Sequence, residues 1–284
     1  MWPQFGGPAG LFLANLAVLA FSQMSGDAFL SWGWRIPFAL SIVLVGIGLW
    51  IRLRILETPV FRRLVAERKV EKTPIIEVCK KQPGTILLTA LARTSEQGPF
   101  YIFTAFIFAY GTGALHASRD LLLTAVLCAT LLSAITIPLS GHISDRIGRK
   151  KMYMIGCATM GVFGFIYFGL IDTASSVLIF IAIVASLIPH AMQYGPQAAL
   201  IAESFTPRLR YSGSSIGCQL ASIIAGGPAP LIATALFASY KSGTPIAIYI
   251  LVCAIVSITA TAFLKDYTGR DVSAEYDRDV QWST

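Results

Sequence analysis

Two ionisable residues, Arg93 and Glu96, stand inside a long apolar stretch of the sequence. A charge in apolar surroundings is costly, so it usually faces a partner or a water-filled cavity. Gln97 and Tyr101 follow on nearby faces of the same predicted helix. Two interpretations stay open. Either the arginine attracts a carboxylate in a cavity, with Glu96 tuning it or carrying a proton, or the Arg–Glu pair only locks helices together.

A second set of polar residues repeats at helical spacing. Four of them, at i, i+3, i+4 and i+7, form one stripe on an otherwise apolar helix: His190, Gln193, Tyr194 and Gln197. Gln219 repeats the pattern together with Ser215, four residues before it, and Ser222, three residues after it. This group lies shortly before the Gly/Pro-rich run 226–230. Such stripes either line a path through a membrane protein or supply hydrogen bonds between helices.

A third set joins glycines, one acid and several basic residues in the short segment 141–151, which separates two apolar stretches. Gly141 and Gly148 allow a tight turn and close helix approach. Asp145 can accept backbone N–H bonds at a helix start. The basic members, expected at the lipid headgroups, are Arg146, Arg149 and Lys150. The acid expected to pair with Arg146 or Arg149 is Glu203.

The composition explains which elements position these residues. Of the 284 residues, 55% are hydrophobic and only 13% are charged, against roughly 25% charged in ordinary soluble domains. The mean hydropathy is +0.67. This excludes a disordered chain, a collagen-like fibre and a disulfide-rich secreted module, and it predicts an all-α, polytopic membrane bundle. About eight apolar segments are expected, at 8–24, 36–53, 85–110, 121–143, 152–171, 177–202, 212–240 and 245–264.

The basic residues predict the orientation of these segments. Of the 22 Lys and Arg, 18 lie in the loops and tail on one side, at 52–81, 144–151, 203–211 and 265–284. Cytoplasmic loops carry such an excess, so both termini are expected in the cytoplasm of a multi-pass inner-membrane protein. The net charge of +7 is therefore a topology signal, and no nucleic acid is expected as a partner. The five cysteines form no CxxC pair, and neither a metal nor a cofactor is expected.

Several motifs resemble one family. The segment 141–151 resembles the G-x-x-x-D-R-x-G-R-[RK] loop of the major facilitator superfamily at every defining position. The stretches SWGWRIPF (31–38) and 51–61 look like helix six and its exit in the metabolite:proton symporter family of that superfamily. ESFTPRLRYSG (203–213) is similar to the family's link between helices ten and eleven, and GGPAP (226–230) to the broken middle of helix eleven.

The resemblance implies an architecture. The family has twelve helices and carries this loop after helix two and again after helix eight, whereas only one copy is present here. The chain therefore resembles helices five to twelve only, and the family's first four helices have no counterpart. The implied parts are two helices ending the N-terminal half (1–53), a charged cytoplasmic linker (54–81), a six-helix C-terminal bundle (82–265) and a cytoplasmic tail (266–284).

The resemblance also implies a function. The family includes carriers of shikimate, 2-oxoglutarate, citrate and proline/betaine. We expect a secondary, symporter-type transporter of a small organic acid or osmolyte, coupled to protons in the full-length form, with no obligate protein partner. The substrate-binding candidates are Arg93, Glu96, Gln97, Tyr101, His190, Gln193, Tyr194, Gln197 and Gln219. The cytoplasmic gate candidates are Gly141, Asp145, Arg146, Gly148, Arg149, Lys150 and Glu203.

Two alternatives remain. The chain can be a truncated fragment of such a carrier that does not transport, because proton-coupling residues are expected in the four absent helices. A polytopic membrane enzyme is the less favoured alternative, because the sequence has no HExxH, GxSxG or P-loop motif.

Overall fold

A computed structural model describes residues 2–25, 28–54 and 74–269. Every secondary-structure element among these residues is helical. Most of the predicted linker and the end of the predicted tail lie outside these residues. The helices are α1 (Trp2–Ser25), α2 (Arg35–Arg54), α3 (Pro74–Lys81), α4 (Pro83–Ala92), α5 (Thr94–Tyr101), α6 (Ile107–Gly113), α7 (Arg119–Ile147), α8 (Arg149–Ile171), α9 (Ser176–Glu203), α10 (Arg210–Ala221), α11 (Pro228–Tyr240) and α12 (Thr244–Phe263). Short π-helical turns lie at Phe29–Gly33, Ile102–Phe106 and Ser222–Gly226.

The helices match the membrane-bundle prediction in number and position. Among the described residues, six helical stretches are long and apolar enough to cross a membrane: Ser31–Arg54, Arg119–Ile147, Arg149–Ile171, Ser176–Glu203, Arg210–Tyr240 and Thr244–Phe263. Two shorter apolar helices, Gly6–Phe21 and Pro83–Ala92, account for the other two predicted segments. The predicted third segment is thus divided into α4, α5, a π-helical turn and α6.

The centre of the bundle is α9, which packs against α7 on one side and α8 on the other. Helix α12 in turn packs against α8 and against α4 and α5, and α10 packs against α4. The main hydrophobic core of the bundle is rich in aromatic rings. Its largest buried members include Phe103, Phe106, Tyr110, Tyr167 and Phe168. This core takes its residues from the π-helical turn Ile102–Phe106 and from α6, α7, α8, α9, α11 and α12, and it fixes these elements beside the polar residues described below.

The first two helices are supported unequally. Helix α1 packs along α7, and Gln4 donates from its side-chain amide to the Tyr194 carbonyl of α9 at 3.3 Å. Helix α2 buries none of its side chains, and it contacts α1. Helix α2 is therefore weakly supported, whereas α1 is part of the wall of the candidate site.

Glycines allow the central helices to approach closely. A Cβ atom on Gly195 of α9 would lie 2.8 Å from both the Gly141 amide nitrogen and the Ile137 carbonyl oxygen of α7. These are backbone atoms, so a side chain there forces the two helices apart.

We expect Gly195→Ala to lower the free energy of unfolding by about 1–3 kcal/mol, the range seen for overpacked cores. Gly169→Ala is the matched control, because a Cβ on Gly169 in helix α8 meets nothing within 4 Å. Thermal unfolding of the purified protein in detergent measures both. Equal melting temperatures for the two variants contradict the close approach.

Candidate functional site

The site is built around a break in the third predicted span, at Arg93. Helix α4 ends before this residue and α5 begins after it, and the Arg93 amide donates to the Ala90 carbonyl at 3.2 Å. Pro99, inside α5, cannot donate to the preceding turn, which weakens a continuous helix here. The break leaves amides without helical partners, and Ser257 of α12 receives one of them, from Ser95, at 2.8 Å.

Arg93 turns its guanidinium into the protein, and the residue is only 8% exposed. One terminal nitrogen, Nη2, donates to Glu96 Oε2 and to Gln97 Oε1, both at 3.1 Å. The other, Nη1, donates to the Cys218 carbonyl of α10 at 3.1 Å. Arg93 Nε has no hydrogen-bond partner among the described residues. A buried guanidinium with an unused N–H can donate to a further anionic or carbonyl oxygen.

Glu96 connects Arg93 to α9. Its Oε1 lies 3.2 Å from His190 Nε2, and its Oε2 accepts from Gln197 Nε2 at 3.0 Å. Gln197 also donates to the Tyr153 hydroxyl at 3.4 Å, which in turn donates to the Ala92 carbonyl at 2.9 Å. The Glu96 carboxylate thus holds one arginine, one histidine and one amide together.

Arg93, Glu96 and His190 line a cavity of about 500 Å³. Its polar wall comes from α5, α7 and α9, and is made of Arg93, Glu96, Gln97, Tyr101, Thr130, Ser133, His190 and Tyr194. Helix α1 closes another side, where a Cβ on Gly7 would lie 3.1 Å from the Tyr194 hydroxyl. The His190 Nδ1 atom is buried without a hydrogen-bond partner among the described residues. The cavity therefore combines a cation, a titratable pair and free polar atoms with an otherwise apolar lining.

Three of the predicted binding residues, Gln193, Gln197 and Gln219, do not line this cavity; Gln197 lies behind the wall and bonds to a lining residue, Glu96. Gln193 is fully buried against α8, where its amide donates to the Gly156 carbonyl at 3.3 Å. Gln193 thus supplies a hydrogen bond between helices, the second of the two interpretations of the polar stripe. Gly156 permits this contact because it lets α9 approach α8 closely: a Cβ atom on Gly156 would lie 2.7 Å from Gln193 Cγ. Gln219 is exposed on α10 and is not part of the cavity wall. The positions of Gln193 and Gln219 do not support a binding role.

Four further residues adjoin the site: Ser222 and Gly226, which the polar pattern around Gln219 and the Gly/Pro-rich run had indicated, and Thr130 and Ser133, which no motif had indicated. Ser222, in the π-helical turn after α10, accepts from Gln97 Nε2 at 2.9 Å. A Cβ on Gly226 would lie 2.9 Å from Gln97 Cγ, so this glycine permits close contact with α5. Thr130 and Ser133 lie three apart on α7, a spacing that could have identified them.

The 141–151 segment is more compact than the sequence suggested. Helix α7 continues to Ile147 and α8 starts at Arg149, so Gly148 alone makes the turn, with φ of +103°. Glycine adopts this angle without strain, unlike other residues. Gly141 lies inside α7, against Gly195, and serves helix packing rather than the turn. Asp145 also differs from expectation, because it lies in the last turn of α7 and not at a helix start.

Arg149 is the centre of the contacts at this turn. Its Nε donates to Asp145 Oδ1 at 3.1 Å, and its Nη1 pairs with Glu203 at the end of α9. The predicted partnership of Glu203 with this loop is therefore present, through Arg149, while Arg146 is exposed. Lys150 donates to the Ala262 carbonyl at 2.7 Å, at the end of α12. Three helix ends are thus tied together here, and a gating role for them stays a prediction.

The sequence is similar to known proteins along most of its length. The model of the Major Facilitator Superfamily matches residues 5–216 and 98–279. The chain is 35% identical over 269 residues to the shikimate transporter of Escherichia coli K12, covering 93% of this chain and 61% of that protein. It is 31% identical over 278 residues to the inner membrane metabolite transport protein YhjE of the same organism, covering 96% and 62%. It is 28% identical over 281 residues to the glycine betaine/proline/ectoine/pipecolic acid transporter OusA of Dickeya dadantii, covering 93% and 55%. The chain spans about three fifths of the length of these relatives.

Proposed function

The chain belongs to the Major Facilitator Superfamily, and from that premise we propose that it forms part of a secondary transporter for a small carboxylate metabolite, driven by protons. The observation that carries this proposal is the buried Arg93 guanidinium in the wall of a cavity of about 500 Å³. A planar guanidinium suits a carboxylate better than any other side chain does, because it offers paired donors in a fixed fork. A shikimate transporter among the relatives agrees in substrate class.

The orientation and location are part of the same proposal. Eighteen of the 22 basic residues belong to the sequence segments predicted to lie on the side of the Gly148 turn, and this bias supports a cytoplasmic location for that turn. One of the relatives from Escherichia coli, YhjE, is an inner membrane metabolite transport protein, which supports an inner-membrane location. We also propose that the part resembling the C-terminal half, residues 82–265, is the six-helix bundle that supplies one wall of the binding site.

Competition for Arg93 supplies a reason for proton coupling. A substrate carboxylate that takes Arg93 Nη2 displaces Glu96 from it, and two carboxylates then face one guanidinium. Like charges in apolar surroundings are costly, so taking up a proton on Glu96 relieves the site. His190, 3.2 Å from the other Glu96 oxygen, is placed to deliver or receive that proton. Both groups lie in the described bundle, whereas the family resemblance located coupling residues in the first four helices.

Uptake by a chimera tests the substrate class. The part of the shikimate transporter that this chain does not match is joined to residues 1–284, and uptake of labelled shikimate is measured in cells. We expect unlabelled shikimate to compete and its methyl ester, which lacks the carboxylate, to compete at least about tenfold less well, since a charge-assisted pair is lost. Equal competition by the ester rejects carboxylate recognition. Uptake by the 284-residue chain alone tests the non-transporting alternative, and shikimate uptake by that chain rejects it.

A separate variant tests proton coupling. In the same chimera we expect Glu96→Gln to abolish accumulation against a gradient while exchange of internal for external substrate continues, because the amide cannot take up a proton. Asp120→Asn, an exposed acid at the start of α7, is the control and should accumulate substrate normally. Accumulation by Glu96→Gln that still responds to the proton gradient would falsify the coupling role.

A further inference from the structure

A second cavity, of about 640 Å³, lies at the end of the bundle, away from the proposed substrate site. It opens where α3 meets α4 and where α12 ends. Its wall includes Lys80 and Lys81 of α3, Gln82 between the helices, and Lys265 just after α12. Neither the family motifs nor the proposed transport function uses these residues.

The cavity carries an excess of positive charge. Three lysines line it, and no acidic residue does among the described residues. Glu77 of α3, which is not part of the cavity wall, pairs with Lys81 at 2.9 Å. Lysines gathered in this way attract phosphate groups, and the attraction is strongest beside an apolar surface that excludes water.

Part of the cavity wall is apolar, and it is supplied by helix ends at which the charge pattern predicts the membrane boundary. Leu88 of α4 and Phe263 at the end of α12 line it, and Phe263 is 72% exposed. Helix α12 has the highest hydropathy of the candidate spans and ends at Phe263. A ligand here meets ammonium groups at headgroup depth and apolar side chains below them. A lipid presents this pairing of chemistries, whereas a free phosphate leaves the apolar part unused.

Gln82 adds a more specific feature. The residue is only 7% exposed, and its Oε1 atom is buried without a hydrogen-bond partner among the described residues. Its backbone is already used, since the amide donates to the Val78 carbonyl at 2.9 Å and the carbonyl accepts from the Ile86 amide at 3.2 Å. A buried acceptor without a donor costs free energy that a ligand hydroxyl can recover. The favoured headgroup therefore carries a hydroxyl as well as a phosphate.

We propose that this cavity binds an anionic phospholipid of the phosphatidylglycerol type. The lysines contact the phosphate, Gln82 Oε1 accepts from a headgroup hydroxyl, and an acyl chain lies along Leu88 and Phe263. Such a lipid joins α3, α4 and the end of α12.

Native mass spectrometry of the purified 284-residue chain in detergent tests the site. Phosphatidylglycerol, phosphatidic acid, which lacks the headgroup hydroxyls, and phosphatidylcholine, which has no net charge, are titrated separately, with glycerol phosphate as the soluble arm. We expect phosphatidylglycerol to bind best and glycerol phosphate not to displace it at equal concentration. Equal binding of phosphatidylcholine overturns the charge argument, and displacement by glycerol phosphate overturns the choice of a lipid.

Variants assign the binding to this cavity. The triple change Lys80→Gln, Lys81→Gln and Lys265→Gln should weaken phosphatidylglycerol binding on the order of 100-fold, given the usual contribution of each lysine near an anionic lipid. Gln82→Leu should remove a preference of roughly fivefold for phosphatidylglycerol over phosphatidic acid. Lys151→Gln, an exposed lysine outside the cavity, is the control and should bind like the unchanged chain. Unchanged affinity in the triple variant, or an unchanged preference in Gln82→Leu, rejects the assignment.

Discussion

Arg93→Gln is expected to abolish carboxylate uptake by the chimera, and Arg93→Lys to weaken it on the order of tenfold to a hundredfold. Glutamine removes the charge, while lysine keeps a charge but replaces a two-point contact by a single one. Uptake of labelled shikimate over a range of concentrations measures both variants. The prediction rests on the position of Arg93, whose side chain borders the cavity and whose Nε has no hydrogen-bond partner among the described residues.

Loss of Arg93 also affects folding, so the test needs a second variant. Glu96 is almost fully buried and depends on Arg93, and breaking a buried pair by removing one partner costs about 3–5 kcal/mol. The double change Arg93→Gln and Glu96→Gln removes both charges and should recover most of that stability without recovering uptake. Arg119→Gln, an exposed arginine at the start of α7, serves as the control.

Two outcomes contradict the role of Arg93 in binding. One is uptake of the anionic substrate at a normal rate by the Arg93→Gln chimera. The other is recovery of uptake together with stability in the double variant, which identifies the Arg–Glu pair as a helix lock only. The uptake rate of Arg93→Gln tests binding, and the double variant separates a loss of binding from a loss of stability. Together they distinguish an arginine that binds the substrate from an Arg–Glu pair that only locks helices.

The second large effect is expected at the Gly148 turn. We predict that Asp145→Asn in the chimera keeps substrate affinity within about twofold and lowers turnover at least about tenfold. Arg149 holds Asp145 and Glu203 across two helix ends, and a transporter must break and remake such contacts in each cycle. A change of about 1.4 kcal/mol in one state of a two-state equilibrium alters the populations tenfold. Affinity depends on the distant cavity and is not expected to follow.

Measurement of substrate binding and of uptake rate on the same preparation separates these two quantities. Glu203→Gln should behave as Asp145→Asn does, because it removes the other partner of Arg149. His142→Gln is the control, since His142 is exposed in the same segment. A loss of affinity with unchanged turnover per bound substrate shows that Asp145 belongs to the binding site and not to a gate.

Much of the fold could be predicted from the sequence because apolar composition reports the surrounding solvent directly. A stretch of about 20 apolar residues has few alternatives to a membrane helix, since its backbone groups must bond internally. The same argument identified Arg93, Glu96 and His190 as residues of interest, because a polar group at that depth needs a partner. The 141–151 motif also predicted the position of the sharp turn.

The tertiary structure decided what each polar group faces. Gln193 and Gln197 belong to one stripe in the sequence, yet Gln193 bonds to Gly156 and Gln197 to Glu96. Their separation depends on how closely α8 approaches α9. Likewise the break at Arg93 depends on Ser257, far along the chain, whose hydroxyl oxygen accepts a hydrogen bond from the Ser95 amide.

The physical reason lies in the range of the interactions. Hydropathy and helical period are properties of neighbouring residues, so the spans, the polar positions and the glycine turn were determined by the sequence alone. Hydrogen-bond partners in an apolar interior are chosen by the packing of distant helices, because a polar side chain bonds to whichever group is brought within about 3 Å. The Arg93–Glu96–His190 cluster, the contact of Arg149 with Glu203 and the lysine-lined cavity beside α12 were therefore decided by the tertiary structure.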